Sequence, residues 1–256
     1  MRKLLGYILT PIHLIFFGGA LGLFQPIQWV ALKLGGYTPH KKSVDLLNLC
    51  LLRSLIFLGS RVRFYHPHPL PTDRPLIVVA NHQSLYDIPP FFWFLRKHHV
   101  KFIAKKSLAK GVPSISFNLR HGGSAVIDRK DPRQAIPAIK KFAEYIEENN
   151  YAACIFPEGT RSRNGAPKAF SPRGLKTLLK YAPSAVVVPV TINHSWRLRI
   201  GKFPMAVGVQ PTWHVHPYID PKGRNPEEVM QEAEVAVRSK LDPKVMLQPT
   251  AAPVSS

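Results

Sequence analysis

Acidic side chains are scarce in this sequence: 15 Asp and Glu stand against 35 Lys and Arg in 256 residues, a formal net charge of +20. Such an imbalance attracts polyanions, which admits nucleic acid, an anionic bilayer or phosphorylated substrates as partners without choosing among them. The charge comes with no zinc-finger spacing, no RRM-like aromatic motif and no recognition helix, so no nucleic-acid partner is expected. Cysteine is scarce too. Cys50 and Cys154 lie far apart in apolar surroundings with no CxxC, which reads as reduced thiols in a reducing compartment. There is no GxSxG elbow, so an attacking hydroxyl belongs to a substrate more readily than to a protein Ser. The close pairs His66 and His68, His98 and His99, and His214 and His216 each lack a third ligand at suitable spacing, and no metal site is expected. No internal repeat is present.

Charge is missing altogether from Leu4 to Leu32. That stretch is long enough to cross a bilayer. Pro11, the Gly18-Gly19 pair, Gly22 and Pro26 each weaken or kink a straight helix, and a second apolar segment, Val44 to Leu58, follows the polar link Gly35 to Ser43. The expectation is a two-helix hairpin at residues 1–58, lying in or dipping into one leaflet. Arg2, Lys3, Lys41, Lys42 and Arg53 put cations near its polar side, which favours the cytoplasmic face of the cell membrane. Two other readings compete. Met1-Arg2-Lys3 before an apolar run imitates a signal peptide, but the apolar character continues past Ala20 to Val30, which a cleaved signal does not need. The same residues would also suit the buried hairpin of a soluble core.

From residue 59 to 241 strand and helix patterns alternate. The expected strands are Arg61–Tyr65, Leu76–Ala80, Lys101–Ala104, Ser124–Ile127, Tyr151–Ile155, Ala185–Ile192 and one near Trp213–Ile219. The clearest helix starts at Asp131 as cap with Pro132 at its first position and places Ile136, Ile139, Phe142, Ala143 and Ile146 on one face. Further helices are expected at Ile88–Arg96, through Gly111–Leu119, at Pro172–Tyr181 and at Glu227–Leu241. The pattern predicts a single α/β domain with helices on both faces of one sheet, its later strands open to antiparallel pairing. Residues 242–256, rich in Pro, Ala and Ser, read as a disordered tail.

Two stretches carry chemistry. In Asn81-His82-Gln83-Ser84-Leu85-Tyr86-Asp87 a His and an Asp stand five positions apart just after an apolar strand. A carboxylate that accepts a bond from one imidazole nitrogen fixes the tautomer and leaves the other to take a proton from a bound hydroxyl. Taken alone, a His after a strand is more often structural. The second stretch, Phe156-Pro157-Glu158-Gly159-Thr160-Arg161-Ser162, follows another buried-strand pattern. The planar fork of Arg161 suits phosphate, Gly159 lets backbone approach closely, and Glu158 can orient the Arg or bond a substrate hydroxyl. Lys105 and Arg129 also follow strands, on the side where ligands collect in open α/β sheets.

Residues 81–87 match NHxxxxD and residues 156–162 match FPEGTRS, so the chain resembles the 1-acylglycerol-3-phosphate acyltransferase family. Gly123 to Arg129 is similar to that family's glycine-to-arginine block and Val188-Pro189-Val190 to its last, apolar block, and the four blocks fall in order over roughly residues 60–220. The resemblance implies a mixed-sheet acyltransferase domain behind a membrane-seating hairpin. It implies transfer of a fatty acyl group from acyl-CoA or acyl carrier protein to the free hydroxyl of a lysophospholipid at the bilayer surface, with no cofactor beyond that donor. His82 would be the base and Asp87 its orienter; Lys105, Arg129 and Arg161 would hold the phosphate; Glu158, Gly159 and Thr160 would shape its pocket; Val188 and Pro189 would lie near the acyl path. Ser107 stands where the family often has Glu, and Ser171-Pro172-Arg173-Gly174 where a Lys-rich turn is usual, differences that bear on the acceptor. A noncatalytic membrane tether is the rival, but it has no need of either motif.

Overall fold

The structure, a computed structural model, describes residues 2–128 and 131–246. Seven strands form one sheet in the order β1-β7-β6-β2-β5-β3-β4. They are β1 (Arg63–Tyr65), β2 (Leu76–Ala80), β3 (Lys101–Lys105), β4 (Ala125–Ile127), β5 (Ala152–Ile155), β6 (Val186–Asn193) and β7 (Thr212–Val215). The five from β6 to β4 are parallel. The β6–β7 pair is antiparallel and β1 follows β7 in parallel, so the mixed character expected of the later strands falls at one edge. β2, β5 and β6 are buried along their whole length, which explains why Leu, Ile, Val and Ala predominate in them: both faces of the sheet are covered there.

One face packs against α5 (Pro132–Asn149), α6 (Arg173–Tyr181) and α7 (Pro226–Ser239), through Phe142, Ile146, Leu175, Leu178, Val229 and Val237. The Asp131 carboxylate accepts from the backbone N–H groups of Arg133 and Gln134, the cap that the sequence announces. The opposite face packs against α3 (Ile88–Phe94) through Phe91, with Leu95, Phe102 and Trp213 beside it. α4 (Ile115–His121) lies between β3 and β4 in the chain.

The N-terminal segment is two helices, α1 (Arg2–Gly35) and α2 (Tyr37–Ser54), followed by a 3-10 turn at Leu55–Leu58. One expectation is corrected: α2 begins at Tyr37, so the link is Gly36 rather than residues 35–43, and α1 stays helical through Pro11 and Pro26. Each internal Pro removes one backbone bond, a cost of about 3 kcal/mol in an isolated helix. Packing offsets it here: Phe17 and Leu21 of α1 share a buried cluster with Leu47, Leu51, Leu55 and Leu58, and with Tyr86, Leu198, Met205 and Val209 of the sheet domain. A second anchor is polar, the Met205 N–H donating to Thr10 Oγ1.

Only one stripe of α1 is buried in this way: Gly6, Thr10, His13, Phe17, Leu21 and Gln28. Much of its remaining surface is apolar and exposed, with Leu4 71%, Ile15 72% and Leu34 85% exposed. α1 is the one helix among the described residues long and apolar enough to cross a membrane, and 28% of its most apolar window is buried. A core helix of a soluble domain would bury far more.

The tail expected from residue 242 is corrected at its start. Pro243–Met246 forms a helical turn, α8, in which Val245 is 4% exposed, and the Asp242 N–H donates to Asn193 Oδ1. These contacts, with Asp242 Oδ2 3.6 Å from His194 Nε2, dock the start of a segment whose composition alone reads as disorder. Residues 247–256 lie outside the described residues.

Candidate active site

Parallel strands present their C-terminal ends along a single edge, and here β2, β5, β3 and β4 are neighbours. The loops after β2 and β5 carry His82 and Glu158 to Arg161, and Lys105 ends β3, so the sheet order gathers on one edge what the sequence spreads over residues 82–161. Arg129 lies outside the described residues.

His82 Nδ1 lies 2.7 Å from Asp87 Oδ2. Because a carboxylate only accepts, Nδ1 carries the proton and the Nε2 lone pair is left to act as a base. The same Oδ2 accepts the backbone N–H groups of Gln83 (2.6 Å) and Ser84 (2.9 Å), which closes the turn between His and Asp. Ser84 caps that turn in return, accepting the Tyr86 N–H at 3.0 Å. Asp87 is fully buried, while the His82 side chain keeps 13% of its surface exposed, so the orienting group is dry and the base can be reached. The His82 ring stacks on Phe156 at 4.1 Å between centroids, 17° from parallel.

The second motif is fastened to the first through backbone. The His82 N–H donates to Glu158 Oε1 at 2.7 Å, the Lys168 N–H donates to Glu158 Oε2 at 2.9 Å, and the Ser162 N–H donates to the His82 carbonyl at 2.8 Å. Both oxygens of Glu158 are thereby committed to holding loops, and the residue is 9% exposed. The structure thus places the Glu158 carboxylate, expected to help shape a phosphate pocket, on the backbone of His82 and Lys168. Burial pushes the Glu158 carboxyl up to about 7, against the two backbone donors, which favour its charged form.

Gly159 makes the following turn at φ +68°, a left-handed conformation that any side chain strains, with its N–H donating to the Phe156 carbonyl. Thr160 and Arg161 beyond it are exposed, as is Lys105 at the end of β3. The structure thus leaves cationic side chains facing solvent on the edge that carries the base.

Val188 and Pro189 lie elsewhere. Both are buried in the middle of β6, in register with Val78 and Val79 of β2, and Val188 packs in the core with Leu76, Val78 and Phe91. They are sheet interior rather than a lining open to a chain. Among the described residues no group of three His, Cys, Asp or Glu is arranged to hold a metal ion. His216 Nε2 instead bonds Thr191 Oγ1, and His214 stacks on Tyr65.

Several residues that build the site carried no sequence signal of their own. Ser195 Oγ donates to Asp87 Oδ1 at 2.5 Å, satisfying the carboxylate oxygen that His82 does not use. Gln83 Nε2 donates to the Gly165 carbonyl at 3.1 Å. Asn81 pairs with the β6 backbone, its Oδ1 accepting the Ile192 N–H and its Nδ2 donating to the Ile192 carbonyl, which prolongs the β2–β6 ladder up to the motif. Asn81 and Gln83 at least stand inside the motif; Ser195 lies 108 residues away.

A model of the family described as Acyltransferase matches residues 61–193. The 1-acyl-sn-glycerol-3-phosphate acyltransferase alpha of Ovis aries is 30% identical over 152 residues, 59% of this chain. The 1-acyl-sn-glycerol-3-phosphate acyltransferase of Borreliella burgdorferi is 28% identical over 178 residues, 70% of this chain and 69% of its own length. The chain spans about half the length of the sheep protein, 52%. Among solved structures, the 1-acyl-sn-glycerophosphate (LPA) acyltransferase PlsC from Thermotoga maritima superposes with a TM-score of 0.77 at 26% identity, over 93% of this chain and 95% of that one.

Proposed function

The chain belongs to the Acyltransferase family, and from that premise we propose that it transfers a fatty acyl group from the thioester of acyl-CoA or acyl carrier protein to the free hydroxyl of 1-acyl-sn-glycerol-3-phosphate, forming phosphatidic acid. The observation that carries this reading is the buried, fully bonded Asp87 holding the Nδ1 of a partly exposed His82 imidazole on an edge bearing exposed cations. In the reaction His82 Nε2 takes the proton of the acceptor hydroxyl as its oxygen attacks the thioester carbonyl. The tetrahedral intermediate collapses with cleavage of the carbon–sulfur bond, and the imidazolium returns the proton to the departing thiolate. An ester and a free thiol result. Asp87 stabilises the imidazolium between the two steps and stays ionised, as carboxylates do in triads of this logic.

Arg161, with Lys105 and Arg129, holds the acceptor phosphate in this reading. Arg161 follows the left-handed Gly159 turn, and its guanidinium can engage two phosphate oxygens at once. The exposed apolar face of α1 seats the protein in a leaflet, where both the lysolipid and the product reside. Arg2, Lys3, Lys42 and Arg53 favour the cytoplasmic face.

The test is acyl transfer to a panel of lysolipids in detergent, with acyl-CoA and acyl carrier protein donors, for the unmodified protein, His82→Ala and Arg161→Ala. Acylation of lysophosphatidate that His82→Ala abolishes, and for which Arg161→Ala raises KM at least roughly tenfold, supports the reading. Acylation of a lysolipid without the phosphate monoester, insensitive to Arg161→Ala, assigns a different acceptor. No product from any pair with folded protein refutes acyl transfer.

A further inference from the structure

The turn that carries the dyad is held from two directions. Toward the sheet, the Asp87 carboxylate takes Ser195 and the backbone of residues 83 and 84. Its chain neighbour Tyr86 belongs to a different environment, because adjacent side chains on a 3-10 turn diverge by roughly 120°. The Tyr86 ring is 1% exposed and packs in the cluster built by the two N-terminal helices, edge-on to Phe17 at 5.7 Å. Its Oη lies 2.5 Å from His13 Nε2, and His13 Nδ1 lies 3.0 Å from the Ser54 carbonyl oxygen. The carbonyl can only accept, so Nδ1 carries the proton, and the Tyr86 hydroxyl donates to Nε2. His13 is fully buried and sits on α1, Ser54 closes α2, and Tyr86 is part of the 81–87 motif. One imidazole therefore joins both helices to the residue beside Asp87.

A three-residue 3-10 turn has little rigidity of its own, and its geometry is set by what its side chains hold. We propose that the Tyr86–His13 bond is a positioning link through which the N-terminal helix pair fixes the Asp87 carboxylate against His82. The opposite side of α1 is the exposed apolar face, so a change in how α1 is seated reaches the dyad through this bond and the base is fully oriented only when the helix pair is in place. This rests on His82 and Asp87 acting as a general-base pair.

Two substitutions of His13 separate the bond to Tyr86 from packing. Gln places an amide oxygen near the position of Nε2 and can accept from Tyr86, whereas Asn places its amide near Nδ1 and keeps only the bond to Ser54. The variants are Tyr86→Phe, His13→Asn and His13→Gln in the full chain, with kcat, the thermal midpoint and the pH midpoint of His82 carbethoxylation by diethyl pyrocarbonate, resolved by mass spectrometry. Tyr86→Phe and His13→Asn are expected to lower kcat roughly tenfold and to move the His82 midpoint downward, because an imidazolium less well faced by its carboxylate loses its proton more readily. His13→Gln is expected to keep both near the unmodified values. An unchanged His82 midpoint in Tyr86→Phe and His13→Asn overturns the link, whatever happens to the thermal midpoint; so does equal impairment of His13→Gln and His13→Asn. The carbethoxylation readout needs no acyl transfer, so a chain that proves inactive toward every lysolipid still decides whether Tyr86 and His13 set the environment of His82.

Discussion

Replacing Asp87 by Asn removes the charge of the dyad while leaving its hydrogen bonds in place, and its expected effect can be worked from the geometry. Asp87 Oδ2 accepts from His82 Nδ1 and from two backbone N–H groups, while Oδ1 accepts from Ser195 Oγ. An Asn with its oxygen toward the three donors directs its NH2 at Ser195 Oγ, which can accept it and turn its own proton to Gln83 Oε1, 3.2 Å away. No buried group is left unpaired, so the fold should survive. What is lost is the attraction between carboxylate and imidazolium once the proton has moved. With charge centres about 4 Å apart and an effective dielectric of about 20, that attraction is about 4 kcal/mol, or about a thousandfold in rate. The assay is release of the thiol product with lysophosphatidate at fixed surface concentration in micelles, with the thermal midpoint measured alongside. A fall in kcat of about 10³ at an unchanged midpoint is expected, close to that of His82→Ala. A kcat within tenfold of the unmodified protein would refute the argument that Asp87 acts through its charge.

Three further outcomes follow from burial and charge. Glu158, raised by burial to about 7 from 4.5, keeps its proton when folded over a range where the unfolded chain has lost it, so this group's stabilisation is present below pH 4.5 and declines as pH rises through about 7, by about 3 kcal/mol. Chemical denaturation of Glu158→Gln, which cannot titrate, should therefore show a deficit against the unmodified protein that narrows between pH 5 and 7.5; a constant deficit contradicts this. Lys101, 4% exposed and donating to Tyr37 Oη at 2.9 Å, is lowered by burial and by Lys41 to about 7 from 10.5, so its contribution to stability increases as pH rises from 7 toward 10. Lys101→Met should raise the thermal midpoint at pH 7 and lose that advantage by pH 10; an equal gain at both values contradicts it. Replacing Leu4, Ile8 and Ile15 of α1 by Ser removes apolar surface that is 71%, 62% and 72% exposed. Sedimentation with phospholipid vesicles should show a partition coefficient lower by about 10³, from three side chains of about 1.5 kcal/mol each, and undiminished binding would place the membrane contact elsewhere.

The sequence alone determined the local pieces. Apolar runs marked six of the seven strands within two residues, while β7 ends at Val215, four residues before the expected Ile219; the Asp131 cap and its apolar spacing marked α5, and the two motifs fall after β2 and β5 as their apolar runs predict. These are legible because periodicity, capping and turn chemistry act over a few residues. What joins the pieces was not legible. The bond from the His82 N–H to Glu158 Oε1, 2.7 Å long, spans 76 residues and is invisible in either motif alone. Pro11 and Pro26 likewise weaken α1 in isolation, and the cluster that Phe17 and Leu21 share with α2 and the sheet domain becomes visible only in the fold. Ser195 and His13 carry no pattern at all, and they reach Asp87 and Tyr86 across 108 and 73 residues. A buried polar group must find a partner, but which partner depends on how the strands order in the sheet and how α1 docks, and those are decided by the summed burial of the whole chain rather than by any window of it.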